Sequence, residues 1–215
     1  MSDKLLASPR SSLPFYDRVG PLYDAIIGPV SGRARERAAS SLGLGPGGRL
    51  LLVGVGSGLD LPHLPRDIRG VGVDLSGGML RRARALRAGI GMPNFELREM
   101  DAQDLDFPDG SFDAVFLPLL VSVVPDGSRA LAEAARVARP GSRVVVLDHF
   151  WPEERPRSSA ARALGGVLGR VATHADRRFS EIRAGASDLR ALSDEELPPR
   201  GFFRLVVLEK PGLAP

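Results

Sequence analysis

The chain has no cysteine among its 215 residues, which excludes disulfide cross-links and thiolate metal sites. Its three histidines, His63, His149 and His174, are too dispersed to show a metal-ligand spacing, so no metal is expected. Lysine is nearly missing too: Lys4 and Lys210 are the only two, and arginine supplies the rest of the 29 basic residues. Set against 26 acids these leave a net charge of +3. That mild excess, with both signs interspersed, argues against a phosphate-tracking stripe and so against nucleic acid as a partner. No apolar run approaches the roughly 20 residues that span a bilayer, and the opening MSDKLLASPRSSL lacks the apolar core of a signal peptide. These absences predict a soluble, cytoplasmic chain that can still touch a membrane surface.

What is present is enough apolar residue, 43% of the chain, for one sizeable core and little room for a second. From Arg49 onward, short runs rich in leucine and β-branched residues alternate with helical stretches, the pattern of an α/β protein with a mostly parallel sheet. Strands are predicted near 49–54, 69–74, 94–99, 112–117, 142–149, 188–193 and 202–209. Helices are predicted near 58–64, 77–88, 126–138 and 157–171, and the Pro140-Gly141 pair should mark a turn before the fifth strand. Two more helices, near 14–27 and 30–42, precede the sheet. Pro21 should kink or split the first, and the glycine-rich link 43–48 joins them to the rest. The expected organisation is one compact domain: residues 1–48 form an N-terminal helical lid over a domain spanning 49–215.

Residues 51–60 read LLVGVGSGLD, an apolar run followed by Gly54, Gly56 and Gly58 at two-residue spacing. Glycines where a strand turns into a helix permit φ > 0 and leave no Cβ to block a ligand. Asp74, at the end of the next apolar run and 20 residues past Gly54, stands where an acid can accept from both hydroxyls of a ribose. Either a nicotinamide or an adenosyl cofactor satisfies this much. A dinucleotide fingerprint wants G-x-G-x-x-G, however, and this chain has G-x-G-x-G followed by Leu59 and Asp60.

Further patterns follow in order: DLSGGML from Asp74, MDAQDLDFPDGSFDAVF from Met100, VVPD from Val123 and ARVARPGSRVVVLDHF from Ala135. As a series covering nearly all of 49–150, they resemble the class I S-adenosylmethionine-dependent methyltransferases, which implies a Rossmann-like, seven-stranded, mostly parallel sheet with a final antiparallel strand. The stretches YDRVGPLYD, VGVGSGLDLPHLP, VVPD, DHF and LPPRGFFRLVVLEKP look most like the bacterial phosphatidylethanolamine N-methyltransferases and the ubiquinone/menaquinone-type methyltransferases. The resemblance implies S-adenosyl-L-methionine as cofactor and S-adenosyl-L-homocysteine as product. It places Gly54, Gly56 and Gly58 along the methionine and ribose portion and Asp74 on the ribose hydroxyls. Leu75 and Met79 would then lie near the adenine, Asp101 with Ala102 beside it at the adenine amino group, and Leu117 to Leu119 next to the sulfonium. One position departs from the family: two residues before Gly54, where an acid usually helps hold the cofactor's ammonium, stands Leu52, with Asp60 or Asp17 as substitutes.

Methyl transfer from a sulfonium is an in-line displacement, and an amine acceptor must first lose a proton. Tyr16, Asp17, Tyr23, Asp148 and His149 are candidates for base or headgroup binder, and Tyr16, Tyr23 and His149 are the favoured catalytic set. His149 titrates nearest neutrality. Phe15, Tyr16, Tyr23, Phe150 and Trp151 either surround a methylated ammonium or pack as lid and core. Leu164, Val167, Leu168 and Val171, spaced i, i+3, i+4, i+7 within the arginine-bearing stretch 155–190, form an amphipathic helix that rests on anionic lipid or packs on the sheet. The expected acceptor is a small molecule or a phospholipid headgroup of the phosphatidylethanolamine type. A quinone-like ring is the alternative, and a non-catalytic binding protein and a nicotinamide-dependent reductase are the rivals from other classes. Oligomeric state leaves no trace in the sequence.

Overall fold

A computed structural model describes residues 13–154, 177–199 and 202–212. The predicted alternation of strand and helix is present. Helix α1 (Leu13–Ser40) precedes β1 (Arg49–Val53), β2 (Arg69–Asp74), α2 (Gly77–Gly89), β3 (Phe95–Glu99), β4 (Phe112–Pro118), α3 (Gly127–Val137) and β5 (Ala138–Asp148). The short helix α4 (Phe179–Arg183), β6 (Arg190–Leu197) and β7 (Phe203–Glu209) complete the described elements.

Local chemistry sets several boundaries. Ser76 caps α2 by accepting from the Met79 N–H, and Asp126 caps α3 by accepting from the Arg129 N–H, each satisfying a donor the first turn leaves unpaired. At the other end of α3 the Lys210 ammonium donates to the carbonyls of Ala135, Arg136 and Ala138, placing a cation on the negative end of the helix.

The seven strands form one sheet in the order β3-β2-β1-β4-β5-β7-β6. Pairing is parallel from β3 through β5, and β7 runs antiparallel to both its neighbours. Both faces are covered, so successive residues of a strand enter different apolar clusters. In β1, Leu51 and Val53 face α3 and α4, whereas Leu50 and Leu52 face α1 and α2.

Four expectations are corrected. The two N-terminal helices are one element, α1, which passes through Pro21 and Pro29. Each proline removes a single backbone donor, and that loss does not end a helix whose later residues Ala34, Ala38 and Ala39 are buried against the sheet. The helix near 58–64 is reduced to a single 3-10 turn, Leu61–His63. The Pro140-Gly141 pair lies inside β5 as an irregularity in register, with Phe112 opposite Ala138 and Ala114 opposite Arg143. Strand β6 lies at 190–197 rather than 188–193. The helix predicted at 157–171, with its amphipathic leucines and valines, lies outside the described residues.

Candidate active site

Strand order reverses between β1 and β4, and parallel strands bring the loops after β1 through β5 to one edge of the sheet. A crevice at that reversal is where open α/β sheets bind their ligands. Its walls are the glycine turn after β1 and the segment 119–126 after β4.

The three glycines of the turn have different tasks. Gly54, at φ +78°, stands where a Cβ would lie 2.7 Å from Leu120 Cδ1. Gly58, at φ +94°, would push a Cβ to 3.2 Å from Ala83 Cα and so keeps α2 close to the turn. Gly56, at φ +53°, has nothing within 4 Å of that position and opens onto free space. Asp74 holds the turn from β2: one carboxylate oxygen accepts from the Gly56 N–H at 2.8 Å and the other from the Ser76 N–H at 2.9 Å. A carboxylate oxygen can accept more than one hydrogen bond. Leu75 beside it is half-buried, and Met79 is buried at the start of α2.

After β3, Asp101 is half-buried and one of its oxygens accepts from both the backbone N–H and the side-chain amide of Gln103, at 2.9 and 3.0 Å. The Gln103 carbonyl oxygen in turn accepts from the Asp126 N–H, tying this loop to the cap of α3. Ala102 is buried in the core. Leu117 differs from expectation: it lies within β4, and its side chain is fully buried in the cluster under α3, because strand alternation points it there. The residues that reach the crevice wall are Leu119 and Leu120, both half-buried. Leu119 takes φ +50°, the left-handed region, at about 1–2 kcal/mol for a residue with a Cβ. Its N–H is held by the Leu147 carbonyl at 2.6 Å.

At the end of β5 a compact polar group forms. Asp148 has no exposed surface, and its carboxylate accepts from the Ser122 N–H (3.0 Å), the Ser122 hydroxyl (2.7 Å) and the His149 N–H (2.8 Å). His149 Nδ1 lies 3.2 Å from the same carboxylate. Phe202 stacks on the imidazole with ring centres 5.6 Å apart and planes 9° from parallel, and is itself 51% exposed. Burial alone would lower the His149 pKa. The hydrogen bond and negative charge of Asp148 outweigh it, and the imidazole titrates above its ordinary 6.5. Arg177 fixes the loop beneath by donating to the carbonyls of Val121, Val124 and Pro125.

Helix α1 packs against the 3-10 turn that follows the glycine loop. Arg35 forms a buried ion pair with Asp60, and its Nε donates to Ser31 Oγ at 2.9 Å. Leu52 has no exposed surface and belongs to the apolar cluster between α1, α2 and the sheet.

The structure thus brings Gly54, Gly56, Gly58, Asp74, Leu75, Met79, Asp101 and His149 to the same edge of the sheet. Tyr16 and Tyr23 fall on the backbone of α1, with their side chains outside the described residues, as are those of Phe15 and Asp17. Phe150 packs against Phe179 in the core at a ring distance of 5.1 Å, which favours packing over caging for that residue. Sequence reasoning missed Ser122, Phe202, Leu120 and the Arg35–Asp60 pair, because each meets its partner across 25 or more residues.

Comparisons with known proteins agree with this geometry. Residues 51–146 match the model of the methyltransferase domain family. A phosphatidylethanolamine N-methyltransferase from Cereibacter sphaeroides is 37% identical over 190 residues, spanning 88% of this chain and 93% of that protein. A demethylmenaquinone methyltransferase from Renibacterium salmoninarum is 30% identical over 187 residues, spanning 84% of this chain and 77% of that one. Among solved structures, geranyl diphosphate methyltransferase in complex with SAM superposes with a TM-score of 0.72 at 19% identity, covering 95% of this chain and 93% of its own. The cyclase SpnF gives a TM-score of 0.77 at 20% identity, covering 95% and 98%, and at such identities the likeness is one of fold. By its relatives and its Rossmann-like sheet, the chain belongs to the S-adenosylmethionine-dependent methyltransferases.

Proposed function

We propose that this methyltransferase N-methylates a phospholipid amine of the phosphatidylethanolamine type. The observation that carries the reading is the corner at the end of β5, where buried Asp148 grips His149 and exposed Phe202 backs the ring. The printed function of the Cereibacter relative supports it.

S-adenosylmethionine, when bound, supplies an electrophilic methyl group on a sulfonium. The residues at the glycine turn fit it: Gly56 leaves space that a Cβ would fill, and Asp74 offers two acceptor oxygens at the ribose end. Asp101 and the backbone at Ala102, with Leu75 and Met79, would hold the adenine, and Leu119 and Leu120 would close the wall by the methyl group.

The chain's remaining task is to present the acceptor with a lone pair. An ethanolamine headgroup arrives as an ammonium, and His149 in its neutral form takes that proton. Asp148 makes the imidazole a stronger base and stabilises the imidazolium that results. The Phe202 face, beside that ring, suits an ammonium that becomes more methylated and less hydrated. Tyr16 and Tyr23, on the backbone of α1, remain the candidates for headgroup contact. On this reading the acceptor is met at a membrane surface. No helix among the described residues is long and apolar enough to cross a membrane.

The test is methyl transfer from labelled S-adenosylmethionine into phosphatidylethanolamine vesicles and, in parallel, into demethylmenaquinone. Label in the lipid amine supports the reading. Label in the quinone alone overturns it in favour of the chemistry that the Renibacterium relative is named for. Tyr16→Phe and Tyr23→Phe then separate hydroxyl chemistry from packing: unchanged acceptor turnover leaves only packing for both.

A further inference from the structure

The amino-acid end of the cofactor is a zwitterion, and a site that binds it well must answer both charges. Leu52, two residues before the glycine turn, answers neither and is sealed in the apolar cluster. Two residues beyond the turn, however, stands Asp60, 2% exposed. One of its oxygens, Oδ2, is engaged by Arg35. The other, Oδ1, is buried and has no hydrogen-bond partner among the described residues. A buried carboxylate oxygen without a donor is rare and costly in a folded protein, and a ligand that brings a donor removes that cost. Arg35 is committed through Nε to Ser31 and through Nη1 to Asp60, and its Nη2 makes no hydrogen bond among the described residues. The pair therefore offers one anionic acceptor and one cationic donor, and no other arginine–carboxylate pair among the described residues is as deeply buried.

We infer that the Arg35–Asp60 pair seats the amino-acid end of S-adenosylmethionine, with Asp60 Oδ1 accepting from the α-ammonium and Arg35 facing the α-carboxylate. Oδ1 is shielded from water, so a ligand donor that reaches it supplies a missing partner instead of competing with solvent. The assignment concerns the cofactor's far end and is the same whichever acceptor is methylated.

The test compares S-adenosylhomocysteine with 5′-methylthioadenosine, which shares the nucleoside and thioether but lacks the amino-acid end. In calorimetric titration, Asp60→Asn weakens S-adenosylhomocysteine at least tenfold and leaves methylthioadenosine within twofold. Unchanged binding of the first ligand, or an equal loss for both, overturns the assignment. Should Asp60→Asn fail to fold, the wild-type protein decides: the Asp60 carboxyl carbon resonance moves on adding S-adenosylhomocysteine and stays in place with methylthioadenosine. A resonance that moves equally with both, or with neither, overturns it as well.

Discussion

The two walls of the crevice are built in opposite ways. On the β1–β2 side, the turn from Gly54 to Gly58 and the carboxylate of Asp74 lie within 21 residues of one another, and backbone N–H groups make the contacts. On the β4–β5 side, Ser122, Asp148, His149 and Phe202 come together from three separate stretches, and mostly side chains make the contacts. On the proposed reading the first wall is a general cradle for an adenosyl group, fixed by where glycine is permitted. The second is made of side chains that can change one by one, and on the proposed reading it is there that acceptor choice resides. Relatives named for a phospholipid amine and for a quinone are consistent with that division, since both match over the shared sheet.

Substitutions on the two walls should therefore separate cofactor affinity from acceptor chemistry. The largest effect is expected from Asp74→Ala, which removes the ribose anchor and strands the Gly56 and Ser76 donors. Cofactor affinity should fall about a hundredfold, or roughly 2.7 kcal/mol, by calorimetry. Asp148→Asn comes next and acts on the other wall: turnover drops at least tenfold while cofactor affinity holds within about twofold. Because Asp148 raises the His149 pKa, the wild-type rate climbs with pH as the imidazole loses its proton. In the variant that limb moves to lower pH, and the plateau beyond it is lower because the base is weaker. A limb that stays in place would falsify the pairing of Asp148 with the catalytic proton.

Within the first wall, the glycines should divide. Gly56→Ala places a methyl group into open space at φ +53°. It should cost about 1–2 kcal/mol of stability and a tenfold or greater loss of cofactor affinity, because that space is the cradle. Gly58→Ala carries similar strain and in addition presses on the α2 backbone at Ala83, so thermal melting should register the larger loss. If both glycines affect stability and affinity in the same proportion, the division of labour is wrong.

The smallest functional effect belongs to a site outside both walls. Glu133 accepts from the Arg136 guanidinium and from the Leu105 N–H, and the Arg136 hydrogen bond leads in holding its carboxyl below the ordinary 4.5. Glu133→Gln should cost about 1–2 kcal/mol of stability at neutral pH and leave both substrates' affinities alone. The sign follows from the lowered pKa. The stabilisation is complete above about pH 5 and is lost as pH falls through the depressed native value, so melting curves of the two proteins should converge in acid.

Much of the first wall is legible in the sequence. A glycine at alternate positions after an apolar run has few explanations, and Asp74 falls at the distance one strand-helix-strand unit imposes. The strand positions follow from the alternation of apolar runs, and the antiparallel last strand comes with the family resemblance. The departures fall where local signals compete with packing. Pro21 reads as a break, yet α1 continues because its later turns are buried; Pro140-Gly141 reads as a turn and is an irregularity within β5. Counting from the strand end puts Leu117 at the ligand, but strand alternation turns it into the core.

The sequence by itself determined a nucleotide-binding turn and the architecture that carries it, because both depend on short-range rules: glycine's freedom at positive φ, and the periodicity of residues buried on two faces; the adenosyl class of cofactor came with the family resemblance. Only the tertiary structure decided how the acids are used. Asp148 became the holder of His149 when Ser122 came against it across 26 residues, and Asp60 became a buried, half-satisfied carboxylate when Arg35 reached it across 25. A carboxylate's role depends on what surrounds it in space, and no spacing along the chain encodes that.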